Sequence, residues 1–122
     1  MKRILTLLLI CSSIIALSAC KKDPAVAKVF VRTQNNQLIS EAQVVIIADR
    51  VNNSSDIEYV DTLMTNSSGY AQFMLDEYFS KTGKENTTGA FDVIVKKADF
   101  IGTGRLHCRA NNTAVETIFI FE

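Results

Sequence analysis

The apolar residues of the last hundred positions recur with a period of two, and this period constrains the fold more than any other feature of the chain. Residues 43–48 form the continuous apolar run that is typical of a strand in the middle of a sheet. Residues 66–69 form a turn cluster that ends in Gly69. Seven segments carry strand patterns: residues 28–32, 43–48, 58–65, 70–75, 91–96, 105–109 and 115–121. They predict an all-β fold, a seven-stranded antiparallel β-sandwich over residues 27–122.

The first twenty residues have a different character. Lys2 and Arg3 precede an uncharged, mostly apolar run over residues 4–17, and small residues follow directly ahead of Cys20. A positive start, an apolar stretch and a small-residue cleavage site together indicate a secretory signal. The apolar run is also shorter than the roughly 20 residues that a membrane-spanning helix needs.

The Leu-Ser-Ala-Cys ending of this segment, residues 17–20, resembles the lipobox of bacterial lipoproteins. The resemblance implies cleavage before Cys20 and acylation of its sulfur and of the new amino terminus. The chain then divides into a signal peptide (residues 1–19), a lipidated tether (20–26) and the sandwich domain. Membrane is thus one predicted partner, through the acyl chains on Cys20. Lys21 follows the cysteine where inner-membrane lipoproteins commonly have Asp, which favours the outer membrane; a periplasmic and a surface-facing orientation both stay open.

Composition limits the remaining partners. The 122 residues include 13 basic and 13 acidic side chains, and removal of residues 1–19 takes away Lys2 and Arg3, leaving 11 basic against 13 acidic. A slightly acidic domain without a basic run argues against a nucleic-acid partner. Cys108 is the only cysteine left after processing and lipidation, so it is either buried or paired between chains.

The order of the strand and turn segments resembles the carboxypeptidase-regulatory-like domain, a transthyretin-like sandwich related in architecture to Ig-like folds. The likeness rests on residues 29–31 and 42–46, on the hairpin 65–73, and on the strand end 91–100. Leu38-Ile39-Ser40-Glu41 replaces the usual Gly-x-Pro, and Asp99-Phe100 replaces Gly-Tyr. The resemblance implies spacers and binding modules without conserved chemistry.

Residues with catalytic or ligand chemistry are few. His107 is the only histidine and alternates with Leu106 and Cys108, which predicts a solvated strand face. Asp49, Asp56 and Glu58 flank one loop, and form either a solvated loop or a carboxylate cluster. We predict no enzyme activity, no cofactor and no metal site. Asp61-Thr62-Leu63 resembles an O-glycosylation motif of Gram-negative envelope proteins; Thr62 is either a modified residue or a plain strand residue.

Strand alternation predicts where a partner contacts the domain. Antiparallel strands place the loops 34–39, 66–69 and 98–104 at the end away from the tether. Phe100 and Ile101, with Asn66 nearby, are the candidate partner contacts; in the alternative, Phe100 folds back and plugs the sandwich. At the tether end, a turn or two of helix is predicted near Tyr78 and Phe79.

Tyr78 and Phe79 either dip toward lipid headgroups or cap the sandwich edge. These features together predict a lipid-anchored, non-enzymatic binding, scaffold or assembly module with a protein partner. One alternative is an inhibitor or immunity lipoprotein that inserts a protruding loop, residues 76–89, into a hydrolase. Another is a carbohydrate-binding module with clustered carboxylates.

Overall fold

The computed structural model describes residues 22–121. The predicted signal peptide and the lipidation site Cys20 lie outside the described residues. Within residues 22–121, no helix is long and apolar enough to cross a membrane.

The described chain folds into two β-sheets that pack face to face, with one short helix. The three-stranded sheet has the order β4-β1-β7 and the four-stranded sheet the order β3-β2-β5-β6. The elements are β1 (Val26–Arg32), β2 (Gln43–Ala48), β3 (Tyr59–Met64), β4 (Tyr70–Met74), α1 (Asp76–Thr82), β5 (Thr88–Lys97), β6 (Phe100–Arg109) and β7 (Thr113–Phe119). The all-β sandwich with seven strands is confirmed, and β2 lies in the middle of its sheet as predicted.

The prediction that every strand pair is antiparallel is wrong for one pair. β1 and β7 are parallel neighbours, with Val26 opposite Thr113 and Arg32 opposite Phe119. β6 runs toward the end of the sandwich at which β1 begins. β7 follows β6 after a short loop and therefore sets off in the direction of β1.

Alternating side chains from both sheets fill the core. Val29, Val31 and Phe73 point inward from the three-stranded sheet, and Ile46 and Phe91 from the four-stranded sheet; each is fully buried. Burying a side chain of this size stabilises the folded state by about 1.5–3 kcal/mol. This alternation is the physical reason why the period-two pattern locates the strands.

The side of the sandwich at β6 and β7 is closed by a close approach of the two sheets. A side chain at Gly102 would place its Cβ 2.5 Å from the carbonyl oxygen of Phe119, so only glycine fits. Beyond β7, the backbone of Phe121 pairs with that of Ile101 through two N–H···O bonds of 2.9 Å. The last described residues thus change from the three-stranded to the four-stranded sheet, and Phe121 lies near Phe100.

The loops collect at two ends, as strand alternation predicts. The tether end comprises residues 22–25, 49–58, 75–87 and 110–112; Ala25 N–H donates to Asp76 Oδ1 at 2.9 Å and Val26 N–H to the Asn112 carbonyl at 3.0 Å. The distal end comprises residues 33–41, 65–69, 98–99 and 120–121. Here Glu41 N–H donates to the Thr65 carbonyl at 2.9 Å. The described chain therefore begins at the end opposite the one that carries the candidate contact residues.

Candidate functional site: a cavity at the distal end

A cavity of about 330 Å³ lies at the distal end, between the loop after β1, the start of β6 and the chain beyond β7. We term it the distal cavity. Its lining residues are all uncharged: Thr33, Gln34, Asn35, Gln37, Phe100, Ile120 and Phe121. Its volume falls at the lower limit of the range in which proteins bind small molecules.

The loop 33–37 forms one wall of the cavity and is held by its own backbone. Thr33 N–H donates to the Gln37 carbonyl at 3.0 Å, and Asn36 N–H donates to the Thr33 carbonyl at 2.9 Å. Asn36 has φ +65°, a left-handed conformation that Asn tolerates better than most residues. Because the backbone closes the loop, the side chains of Gln34, Asn35 and Gln37 are left to line the cavity.

Two predicted contact residues, Phe100 and Ile101, are exposed at this end. Phe100 occupies an inward-facing position of β6, yet its side chain remains 39% exposed and is not part of the buried core. Ile101 points to the opposite face and is 52% exposed. The structure matches the alternative in which Phe100 plugs the sandwich only in part, because the side chain faces inward and covers one side of the cavity without filling it.

Asn66, the third candidate at the distal end, stabilises its own turn. Its Oδ1 accepts hydrogen bonds from Ser68 N–H at 2.9 Å and from Tyr70 N–H at 3.3 Å. These bonds stabilise the turn between β3 and β4, in the manner of an Asx turn. The side-chain oxygen is thus already engaged, although the residue itself is exposed.

Tyr78 and Phe79, predicted either to contact lipid or a partner or to cap the sandwich edge, are both buried. Both side chains point inward from α1: Tyr78 is fully buried and Phe79 is 9% exposed. Tyr78 packs edge-on against Phe91, with ring centroids 5.1 Å apart, and against Tyr59 at 5.6 Å. Burial raises the pKa of Tyr78. The helix places these rings over the end of the core, which is the capping alternative.

The same helix takes up much of residues 76–89, the segment that the inhibitor alternative requires to be a protruding loop. Asp76 and Glu77 lie in the first turn of α1 and Lys81 in the last, where each charge interacts favourably with the helix dipole. Lys81 Nζ also lies 3.2 Å from Glu77 Oε1. Since β5 begins at Thr88, little free loop is left to enter an enzyme cleft.

The residues with metal-ligating or nucleophilic chemistry do not converge in the described chain. Asp49 Oδ1 accepts hydrogen bonds from the backbone N–H groups of Val51 and Asn52, each at 3.0 Å, and so closes its own loop. Glu58 instead lies 3.7 Å from Arg50, and this pair is exposed. Within residues 22–121, no three His, Cys, Asp or Glu side chains are grouped closely enough to hold a metal ion. The carboxylate cluster is thus not formed.

Cys108 and His107 lie on opposite faces of β6. The Cys108 side chain is 4% exposed, and burial raises its pKa to about 12. A buried thiol with so high a pKa is unreactive, so burial, rather than pairing between chains, describes Cys108. His107 is exposed on the outer face, as predicted.

A second cavity, of about 360 Å³, lies beside His107 at the tether end, between the loop 52–54 and the ends of β5 and β6. One of its polar side chains supports the sheet. The Asn53 amide accepts from Ala90 N–H at 2.7 Å and donates to the Ala90 carbonyl at 3.0 Å, which continues the pairing of β5 beyond the end of β2. Sequence reasoning missed this role, because a side chain that substitutes for a strand leaves no periodic signal.

Thr62 is exposed on β3, an edge strand of the four-stranded sheet. Its N–H donates to Asp61 Oδ1 at 2.8 Å, and Asp61 also accepts from the Tyr59 hydroxyl at 3.4 Å. Burial first, and then the Asp61 carboxylate, raises the pKa of Tyr59. Glycosylation of Thr62 stays a prediction.

The distal cavity therefore unites two groups that the sequence identified separately, the loop 34–39 and Phe100. It adds Phe121, which no motif distinguished. A scan against protein-family models and a comparison with curated proteins give no match to this sequence.

Proposed function

We propose that the chain is a lipid-anchored protein of the outer membrane, and that its β-sandwich is a non-enzymatic binding module whose distal end contacts a partner. The proposal includes acylation of Cys20 and kinship with the carboxypeptidase-regulatory-like, transthyretin-like domains.

One observation carries the proposal: the two ends of the sandwich have different surfaces. The chain enters at the tether end, where the aromatic side chains are buried. At the distal end, Phe100, Ile101 and Phe121 expose 39–52% of their surface. Exposed large apolar groups that cluster on a soluble domain are characteristic of contact surfaces. An anchor at Cys20 would hold this surface away from the membrane.

Two alternative functions lack the feature that each requires. The inhibitor needs a protruding loop after β4, and that segment is folded against the core as α1. The carboxylate-dependent carbohydrate binder needs convergent acidic groups, and Asp49 and Glu58 are engaged with different partners. A binding surface at the distal end needs neither.

The experiment is site-specific photo-crosslinking in intact cells. A photoreactive amino acid replaces Ile101 at the distal end or, as the matched control, Val51, which is 88% exposed at the tether end. We expect an adduct from position 101 that is much weaker from position 51. We also expect the adduct to disappear when Cys20→Ser removes the anchor.

Three results would contradict this function. An equal yield from positions 51 and 101 would mean that the partner contacts both ends of the domain without preference for the distal end. An adduct that persists at full yield in the Cys20→Ser protein would mean that the anchor has no part in binding. Absence of incorporated fatty acid in the wild type would remove the lipoprotein assignment itself.

A further inference from the structure

We propose that the distal cavity binds a neutral saccharide. The inference rests on the proposed function, since it names the ligand class for the same distal end. It depends on three properties of the cavity: its lack of charge, its side-chain amides and its exposed aromatic rings.

The first property is the absence of ionisable groups from the seven lining residues. A charged ligand that entered this cavity would lose water and gain no opposite charge, which is costly. Phosphate, carboxylate and cationic ligands are therefore disfavoured. A ligand that fits the site carries polar groups without net charge.

The second property is the supply of amide side chains. Gln34, Asn35 and Gln37 contribute three carboxamides from one short loop, and Thr33 contributes a hydroxyl. Within the described chain, none of the three side-chain amides forms a hydrogen bond with another residue. Each amide is both donor and acceptor, and so is each sugar hydroxyl. An array of neutral donors and acceptors therefore matches a polyol better than it matches an apolar ligand.

The third property is a pair of aromatic rings that the fold leaves accessible. Phe100 is 39% exposed and Phe121 is 51% exposed. The backbone pairing between Ile101 and Phe121 holds together the two chain segments that carry these rings. The face of an aromatic ring is electron-rich and attracts weakly positive C–H groups, which a sugar ring presents on its apolar faces. The amides thus match the hydroxyl groups of a pyranose, and the aromatic rings match its apolar faces.

A peptide is the less favoured occupant, because the usual structural requirements for peptide binding are missing here. Strand addition needs a free backbone edge, whereas the backbones of Ile101 and Phe121 are already paired with each other. Recognition of acidic motifs needs an arginine cluster, and the cavity is lined by none.

The test is isothermal titration calorimetry with the full-length protein in an amine-oxide detergent, because glycosidic detergents would compete for the site. The probes are four neutral hexasaccharides, built from glucose, mannose, xylose or N-acetylglucosamine. We expect one-to-one binding of at least one hexasaccharide at millimolar concentration. We expect Phe100→Ala to weaken it about tenfold, which corresponds to about 1.4 kcal/mol.

Two further variants make the result specific. Phe119→Ala is the matched control, since Phe119 has 40% exposure but lies on the outer face of the three-stranded sheet; its affinity should equal that of the wild type. Asn35→Ala removes an amide from an exposed loop without touching the core, and should weaken binding several-fold while the thermal midpoint is unchanged. It keeps the test valid if Phe100→Ala folds poorly.

The inference is overturned if no hexasaccharide binds, or if Phe119→Ala weakens binding as much as Phe100→Ala does. It is also overturned if only peptides or charged ligands bind in a Phe100-dependent manner. A photo-crosslinked protein partner at position 101 without saccharide binding would leave the anchored binding module intact and remove the saccharide alone. Saccharide binding by a chain that carries no fatty acid would support the saccharide site and remove the lipid anchor.

Discussion

The two ends of the sandwich differ in how far they bury their aromatic side chains. At the tether end, Tyr59, Tyr78, Phe79 and Phe91 pack edge-on with ring centroids 5.1–6.2 Å apart, and Tyr78 is fully buried. At the distal end, Phe100 and Phe121 are left half-exposed around a cavity. The two ends belong to the same pair of sheets, so the sheets alone do not produce the difference.

The difference follows from the connection that lies next to the aromatic side chains at each end. The connection between β4 and β5 is long enough to form α1, which turns Tyr78 over the core. The connection between β5 and β6 is the two-residue turn Ala98–Asp99, which covers nothing. An aromatic side chain buries about 150–250 Å² when it finds a core. No segment of residues 22–121 covers Phe100 fully, so its ring stays accessible to the ligand that we propose.

The largest expected effect on stability comes from removing a buried aromatic ring at the tether end. Tyr78→Ala removes a fully buried ring and should lower the free energy of unfolding by about 3–5 kcal/mol. Tyr78→Phe is the control, because the buried hydroxyl makes no hydrogen bond within residues 22–121. Its loss should leave stability unchanged or slightly raised. Urea denaturation followed by circular dichroism measures both variants.

A different ranking of these two variants would contradict the comparison. If Tyr78→Ala cost less than about 1 kcal/mol, α1 would be a loosely attached segment rather than a cover of the core. If Tyr78→Phe were strongly destabilising, the hydroxyl would have a partner that the described residues do not include.

Much of this architecture was predictable from the sequence, because burial on alternate residues is a local property. Each of the seven strand segments predicted from periodicity overlaps an observed strand. The direction of β7 was not predictable, because alternation locates a strand without stating which neighbour it pairs with. The orientation of Tyr78 also stayed open at the level of sequence, because α1 is only seven residues long and its inward orientation comes from contact with Phe91 and Tyr59. The distal cavity required Phe121, which only the pairing with Ile101 brings beside Phe100.

An intermediate effect is expected where the distal loops are fastened by polar contacts. Thr65 is buried; its Oγ1 donates to the Ile39 carbonyl at 2.7 Å and accepts from Ala42 N–H at 2.9 Å. Thr65→Val keeps the shape and leaves both backbone groups without that partner, at a cost of about 2 kcal/mol. Thr62→Val, the same change at an exposed strand position, should stay within about 0.5 kcal/mol.

Equal destabilisation by the two threonine variants in urea denaturation would contradict this assignment. It would mean that the β-strand propensity of the side chain, and not the Thr65 hydroxyl, decides the stability of the hairpin. A selective loss at Thr65 would show that the distal end is ordered by hydrogen bonds while its apolar rings stay free.

A smaller effect depends on pH and reports on the buried thiol of Cys108. Burial raises the pKa of Cys108 from 9.0 to about 12 in the folded protein. Between these values the unfolded chain has released the thiol proton and the folded chain has kept it, so stability falls as pH rises. One proton corresponds to about 1.4 kcal/mol per pH unit. Cys108→Ala should lessen the alkaline slope of the unfolding free energy by up to this amount, while Tyr59 and Tyr78 still contribute.

Thiol labelling compares the two ends directly. At pH 8, iodoacetamide should modify a cysteine introduced by Phe100→Cys within minutes and leave Cys108 unmodified, as read by mass spectrometry of the two peptides. Modification of Cys108 at a similar rate would mean that the tether end opens readily, and an unchanged alkaline slope in Cys108→Ala would mean that its pKa is ordinary.

The smallest expected effect is the loss of a distal ring. Phe100→Ala should lower the free energy of unfolding by less than about 1 kcal/mol, because the side chain keeps 39% of its exposure and lies outside the buried core. Phe91→Ala, the same substitution in the core, should cost about 3–5 kcal/mol. If the two variants were equally destabilising in urea, Phe100 would be a plug of the sandwich, and its role would be to stabilise the fold. A large gap between them means that the Phe100 ring contributes little to folding, so a loss of affinity in Phe100→Ala is attributable to the ligand contact itself.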